Sequence, residues 1–324
     1  MQEISPLIIK KINLENIKFP WRSTLEKATE KTLFLISLFP MILVLIIIIA
    51  LAYRAQPILT HTSIWNLITG RIWKPLQGDF GFLPFIIGTL MVTGFSLALA
   101  VPPSLFTAIY LAEYANPSLR AFMKPLLDLL AAIPSVVYGI WGVIAIVPMI
   151  QNHLLPFINQ HFLSIPVLAS RNPTGYGIFA GGVVLAVMIA PFIVNITFEV
   201  MNSVPDCYRE ASLALGSTRW QMVKSALIPQ VIPGILAGIV LGASRAIGET
   251  MAVLMVVGNV AQIPKSIFDA AYPLPALIAN NYGEMMSIPL YDSALLGAAL
   301  ILLLIILLFN ILSTMFLYQF KRRM

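Results

Sequence analysis

Six long apolar runs separated by shorter polar stretches set the pattern of the chain: residues 33–53, 85–111, 126–150, 176–198, 231–257 and 294–318. Each is long enough, as a helix of roughly 20 residues, to cross about 30 Å of hydrocarbon. In lipid a helix satisfies its own backbone hydrogen bonds, so the pattern predicts an all-α polytopic membrane protein. The membrane domain covers residues 33–318, between an N-terminal segment 1–32 and a basic tail 319–324. A polar island at 199–230 lies between the fourth and fifth runs, and its core, EASLALGSTRWQMVKSALIP, has helix formers on either side of Gly216. That arrangement predicts two short helices around a turn.

Local breaks refine the runs. Pro102-Pro103 predicts a kink or break in the second, because neither residue donates to a helical ladder. The third opens with Asp128, expected to cap its helix near the cytoplasmic end, and carries Ile133-Pro134-Ser135 through Tyr138 to Gly142. Small and helix-breaking residues so close together serve equally as a pathway wall, with Ser135 and Tyr138 on it, or as a tight helix contact. Ahead of the first run, Ser23 and Glu26 have capping-box spacing, on a segment that either rests on anionic lipid or is a solvated lead-in.

Composition agrees with the pattern. Of 324 residues, 59% are hydrophobic and only 10% charged, which excludes a soluble domain. The net charge of +6 does not imply nucleic acid, because the cations sit beside the ends of the runs. With the N-terminus in the cytoplasm, Lys10, Lys11, Lys18, Arg22, Lys27, Lys31, Arg120, Lys124, Arg209, Arg219, Lys224 and the tail Lys321-Arg322-Arg323 fall inside. Arg54, Arg71, Lys74, Arg171 and Lys265 fall outside. The positive-inside rule therefore puts both termini in the cytoplasm. Ala50-Leu51-Ala52 resembles a cleavage site, but its leader is too long for a signal peptide, so an uncleaved anchor is expected.

Catalytic chemistry is not expected. The chain has no nucleotide-binding loop, no metal-ligand spacing around His153 and His161 in the outer loop 151–175, and no hydrolase triad. Cys207 is the single cysteine, so no intrachain disulfide can form.

One cation belongs to neither membrane face. Arg245 lies about 24 Å along a helix from Pro229 and about 21 Å from Asn259, too deep to snorkel easily. Placing arginine at mid-bilayer costs about 2.5–3.5 kcal/mol on insertion scales, which marks it as functional. Glu249, four residues on, is expected to share its face and could pair with it. Gly242, Gly248, Ser244 and Thr250 thin the surrounding surface and would open a polar cavity suited to an oxyanion.

The spacing Glu-Ala-Ser-x₃-Gly-x₁₁-Ile-Pro, from Glu210 to Pro229, resembles the EAA loop of ATP-binding-cassette importer permeases. Ser212 stands where that family has alanine, and Ile228 where it has leucine. The resemblance implies a type I importer permease fold in the bacterial cytoplasmic (inner) membrane. It also implies a coupling helix seated in a groove of a separate ATPase, with Gly216 making the turn, Ala211 and Ser212 allowing close approach, and Glu210, Leu215 and Pro229 in the same element.

RAIGETMAVLMVVGN, with IYLAEYANPSLR, LLAAIPSVVYGIWG and VLAVMIAPFI, is similar to the PstC-type permeases of bacterial phosphate importers over nearly all of residues 85–260. That implies phosphate as cargo and transport roles for Arg245 and Glu249. The implied partners are a PstA-like second permease, a PstB-like ATPase dimer that uses the ATP, a PstS-like extracytoplasmic binding protein and membrane lipid. No cofactor is implied in this chain. Permeases for sulfate or molybdate share the coupling loop, and an ion-coupled secondary transporter would use the Arg245–Glu249 pair differently.

Overall fold

The computed structural model describes residues 20–161, 167, 172–283 and 289–323. Lys10, Lys11, Lys18, Arg171 and the side chains of Arg22, Ser23, Lys321, Arg322 and Arg323, to which expectations were attached, lie outside the described residues. Contacts divide the chain into two units, 1–50 and 51–324. The described part of the first is helical, within α1 (Pro20–Arg54), and exposes Phe34, Leu35, Phe39, Leu45 and Ile49. Water would not tolerate such a surface; lipid does.

The second unit begins with two short helices, α2 (Gln56–His61) and α3 (Ile64–Thr69), and a hairpin of β1 (Trp73–Lys74) and β2 (Asp79–Phe80), paired Trp73 to Phe80. Trp73 packs edge-on against Phe80 and Phe85, closing this hairpin end over a core that includes Phe82, Leu274, Tyr291 and Leu295. Helix α4 (Leu83–Ile109) follows and ends in a π turn, Tyr110–Tyr114. Then come α5 (Pro117–Ala132), α6 (Ser135–Trp141), α7 (Val147–Met149) and α8 (Leu155–His161), the last three joined through π turns into one membrane-length helix. Beyond them lie α9 (Ile178–Asn202), α10 (Asp206–Ala214), α11 (Arg219–Met222), α12 (Ile228–Ile247), α13 (Met251–Val256), α14 (Leu274–Asn281) and α15 (Pro289–Arg323).

Six helices among the described residues are long and apolar enough to span a membrane. Helix α9 is the central one: it packs on α4, α5, α12 and α13 and buries Leu185, Met188, Ile189 and Ile193. Gly234, Gly238 and Gly242 form a stripe at helical spacing on α12, and a Cβ on any of them would press into Val200, Ile196 or Ile193 of α9. Gly242 is thus a packing residue, and the cavity expected beside it is filled by Ile193.

Three expected spans are redrawn. The third does not run through 126–150: α5 is separate and amphipathic, and the long helix occupies Ser135–His161. Ile133 and Pro134 are the reason, since proline pushes its predecessor out of the helical region and both are extended, with ψ of 130° and 138°. His153 and His161 therefore lie on this helix rather than in a loop. The fifth long helix starts earlier, at Arg219, and stops at Ile247 instead of reaching 257. The second passes unbroken through Pro102-Pro103, where packing on α9 and the Ser104 Oγ bond to Ala190 O (3.3 Å) support it. The same long helix ends in the π turn at Tyr110–Tyr114.

Candidate coupling loop and transmembrane anion site

The loop between α9 and α12 is a helix–turn–helix. Helix α10 starts after Pro205, and the chain turns at Gly216, whose φ of 81° is costly for a residue with a Cβ. Ser217 Oγ donates to Ser212 O at 2.8 Å and lies 2.8 Å from Ser212 Oγ. Thr218 and Gln221 form a reciprocal capping box that starts α11. A π turn at Val223–Leu227 then leads into α12, and Pro229, which has no N–H to donate, follows just after it within the long helix Arg219–Ile247.

No residue of α10 is buried. Glu210 and Ala211 are exposed, and Leu215 at the tip is 90% exposed, with Tyr208, Leu213 and Trp220 also open. Ser212 is half-buried and spends its hydroxyl on the turn, so it braces the loop rather than facing outward. Arg209, one of the cations assigned from the sequence to the cytoplasmic side, is committed inward. Its guanidinium pairs with Glu113 at 2.8 Å and donates to the α9-end carbonyls of Met201 (3.0 Å) and Val204 (2.7 Å). The hydrogen bond to Glu113 raises its already high pKa further, against the opposing effect of burial.

Asp128 does not cap a helix. It sits within α5, and its carboxylate accepts from Asn195 Nδ2 of α9 at 2.8 Å. Beside it Lys124 and Glu199 form an exposed ion pair at 2.6 Å.

The membrane-embedded residues gather around the end of α12. Arg245 is in its last turn, half-buried, with Cζ 5.8 Å from the Phe192 ring centroid, a cation–π distance. Glu249 does not pair with it. The helix ends at Ile247, Gly248 caps it, and Glu249 Oε1 accepts from Ala252 N at 3.3 Å, capping α13 instead. The four-residue spacing would place the two charges on one face only if the helix continued through them.

No ion pair neutralises Arg245 among the described residues. Ser244 Oγ lies 2.9 Å from Val240 O and 2.9 Å from Asn310 Oδ1 on α15. Asn310 Nδ2 is tied to Ile306 O at 2.9 Å, which orients the amide. Tyr138 Oη donates to Leu130 O at 2.8 Å across the Pro134 break. Ser135 opens α6, and Thr250 Oγ1 bonds Gly248 O at 3.2 Å within the break. Gly139 and Gly142 let α6 approach Met255, Val256 and Val184 closely, so this part of α6 is a helix contact.

The structure thus brings Ser244, Arg245 and the break at Gly248–Thr250 into one neighbourhood, leaves Glu249 facing α13, and ties Tyr138 to Leu130. Asn310 and Phe192 join it unannounced. Asn310 could have been noticed as the lone amide inside the run 294–318; nothing local marked Phe192.

An α-helical membrane unit with an exposed helix–turn–helix and a half-buried arginine that no ion pair neutralises among the described residues has the form of a transport permease. Residues 104–324 match the family model of the binding-protein-dependent transport system inner membrane component, and the chain belongs to that family of multi-pass inner-membrane proteins. It is 40% identical over 236 residues to the phosphate transport system permease protein PstC of Pasteurella multocida, covering 72% of this chain and 73% of that one. It is 33% identical to the PstC of Haemophilus influenzae over 92% of this chain and 95% of the relative.

Among solved structures, the fold is similar to a chain of the MetNI methionine transporter in an inward-facing form (TM-score 0.53, 18% identity, covering 77% of this chain and 99% of that one). It is also similar to a chain of a bacterial alginate ABC transporter in complex with its pentasaccharide-bound periplasmic protein (TM-score 0.51, 18% identity, 92% and 94% covered). At that identity the likeness is one of fold.

Proposed function

We propose that this chain is the permease subunit of an ATP-driven importer that moves inorganic phosphate across the cytoplasmic membrane, with both termini and the 199–230 loop in the cytoplasm. The reading places ATP hydrolysis on a separate PstB-like dimer, which receives the exposed α10 tip, and supplies phosphate from a PstS-like binding protein. A PstA-like second permease completes the pathway, because six helices are few to enclose one. The relatives' names support the cargo. What carries the proposal physically is Arg245: a half-buried guanidinium without a carboxylate partner among the described residues, at the end of the helix that rises from the coupling loop.

A planar guanidinium offers paired N–H donors that match two oxygens of a tetrahedral anion. Phe192 keeps the cation in place without neutralising it, so the charge is available to a passing anion. Ser244, linked to Asn310, adds a hydroxyl beside it. Glu249, with one oxygen spent on α13, would accept the P–OH hydrogen of protonated phosphate and repel fully deprotonated sulfate.

The test is uptake by the reconstituted four-component complex. Arg245→Ala should lower phosphate transport at least tenfold, since a hydrogen bond to a charged group contributes about 1.5–3 kcal/mol. Parental uptake by that variant would remove Arg245 from the mechanism. ATP-dependent uptake of sulfate or molybdate in place of phosphate would assign another oxyanion, and uptake independent of the ATPase would overturn the reading as a whole.

A further inference from the structure

We propose that Arg209 is a positioning residue that latches the coupling helix to the end of the second membrane helix, so that a push on α10 moves α4 as well as α12. The inference rests on the proposed function and adds a second route for force that the loop's covalent path does not supply. Through the chain, α10 is joined to α9 on one side and to α12 on the other. Its tie to α4 is through space, between residues 96 apart in sequence.

The tie is strong and specific in form. Arg209 Nη2 reaches Glu113 Oε1 at 2.8 Å, and Nε lies 3.2 Å from each carboxylate oxygen. The remaining donors go to Met201 O, Val204 O and Asp206 Oδ1. One guanidinium therefore spans three segments: the end of α9, helix α10 and the π turn that ends α4. The Arg209 and Glu113 side chains are only 17% and 5% exposed, so the pair is largely out of water.

Glu113 belongs to a turn that is gripped from its other side too. Arg120 of α5 donates to Leu111 O at 3.0 Å and to Ala112 O at 2.6 Å, with its guanidinium 5.7 Å from the Phe198 ring centroid on α9. A π turn widens the helix and loosens its ladder, so these external donors hold its shape. With the turn held by Arg120 and its carboxylate held by Arg209, displacement of α10 cannot be absorbed by unwinding the end of α4.

A buried ion pair is an expensive way to gain stability, because apolar residues of the same volume often serve as well or better. Its best-attested use is to fix register between elements, which is what a coupling joint requires.

The experiment uses the full complex in proteoliposomes with its binding protein, reading phosphate transported per ATP hydrolysed. The variants are Arg209→Gln, Glu113→Gln and the apolar double replacement Arg209→Met with Glu113→Leu. Lys124→Gln, in the neighbouring exposed pair, is the control and should leave the ratio unchanged. Expected is a complex that keeps its ATPase and hydrolyses ATP, with the transport ratio at least fivefold lower in all three variants, the well-packed double one included.

A double variant that assembles and keeps the parental ratio overturns the latch. So does failure of the double variant to assemble, which would make the pair purely structural. A parental complex without ATP-driven phosphate uptake would instead refute the function on which the latch rests.

Discussion

Two arginine–glutamate combinations, one at the end of α12 and one joining α10 to the end of α4, behave in opposite ways. Arg245 and Glu249 are four residues apart and do not meet; Arg209 and Glu113 are 96 apart and form a buried pair at 2.8 Å. The near pair fails because the helix stops at Ile247, so the fixed angle per residue that would align them is lost at Gly248. The distant pair forms because α4 and α9 run side by side and deliver the π turn to the foot of α10. A neutralised arginine suits a joint that must hold its register, whereas an uncompensated one suits a site that a mobile anion visits.

Replacing each member in turn should separate these roles. The largest effect is expected at Arg245: alanine there should reduce phosphate uptake at least tenfold with the ATPase still bound, and Arg245→Lys should recover only part, because an ammonium keeps the charge but not the fork. If lysine restored full uptake, geometry would play no part. Next comes the Arg209–Glu113 latch, whose loss should lower transport per ATP at least fivefold rather than abolish hydrolysis.

The turn itself is tested by binding of the ATPase rather than by transport. No atom lies within 4 Å of a Cβ built on Gly216, so Gly216→Ala introduces only backbone strain at a φ of 81°, about 1–2 kcal/mol. Co-purification of the ATPase should weaken roughly 5–30-fold if that strain is relieved only by rearranging the loop, while Gly216→Asn, better suited to a left-handed turn, should fall closer to wild type. Equal behaviour of the two would show that the left-handed turn is dispensable.

Below that, Asn310→Leu should raise the phosphate concentration needed for half-maximal uptake only a few-fold, given about 0.6 kcal/mol for an average interhelical hydrogen bond in a membrane. The smallest change in phosphate uptake is expected from Glu249→Gln, which preserves the acceptor that caps α13. Its signature is competition: sulfate should inhibit the variant more than the parent, and unchanged competition would deny Glu249 a part in selection.

Much of the architecture was legible because membrane helices announce themselves by length and apolarity, and all six runs correspond to long helices in the structure. The turn at Gly216 was legible for a similar reason: the helix formers around it leave one residue free to adopt a positive φ. The ends of helices were harder. Pro134 terminates α5, yet Pro102-Pro103 interrupts nothing, although the two sites look equally disruptive in a string of letters. Helix α4 is the more extensively packed on α9 of the two, which apolar periodicity does not reveal. Arg245 was conspicuous from depth alone, whereas Asn310, Phe192 and Glu113 gained their places from helices distant in sequence.

The sequence by itself determined a six-helix membrane chain, an exposed helix–turn–helix and a cation placed where lipid would punish it, because each depends on local composition and on the fixed rise and turn of a helix. Tertiary structure alone decided which of these arginines meets a carboxylate. Charge pairing requires contact within a few ångströms, and that distance is set by how α4, α9 and α12 pack, not by how far apart their residues stand along the chain.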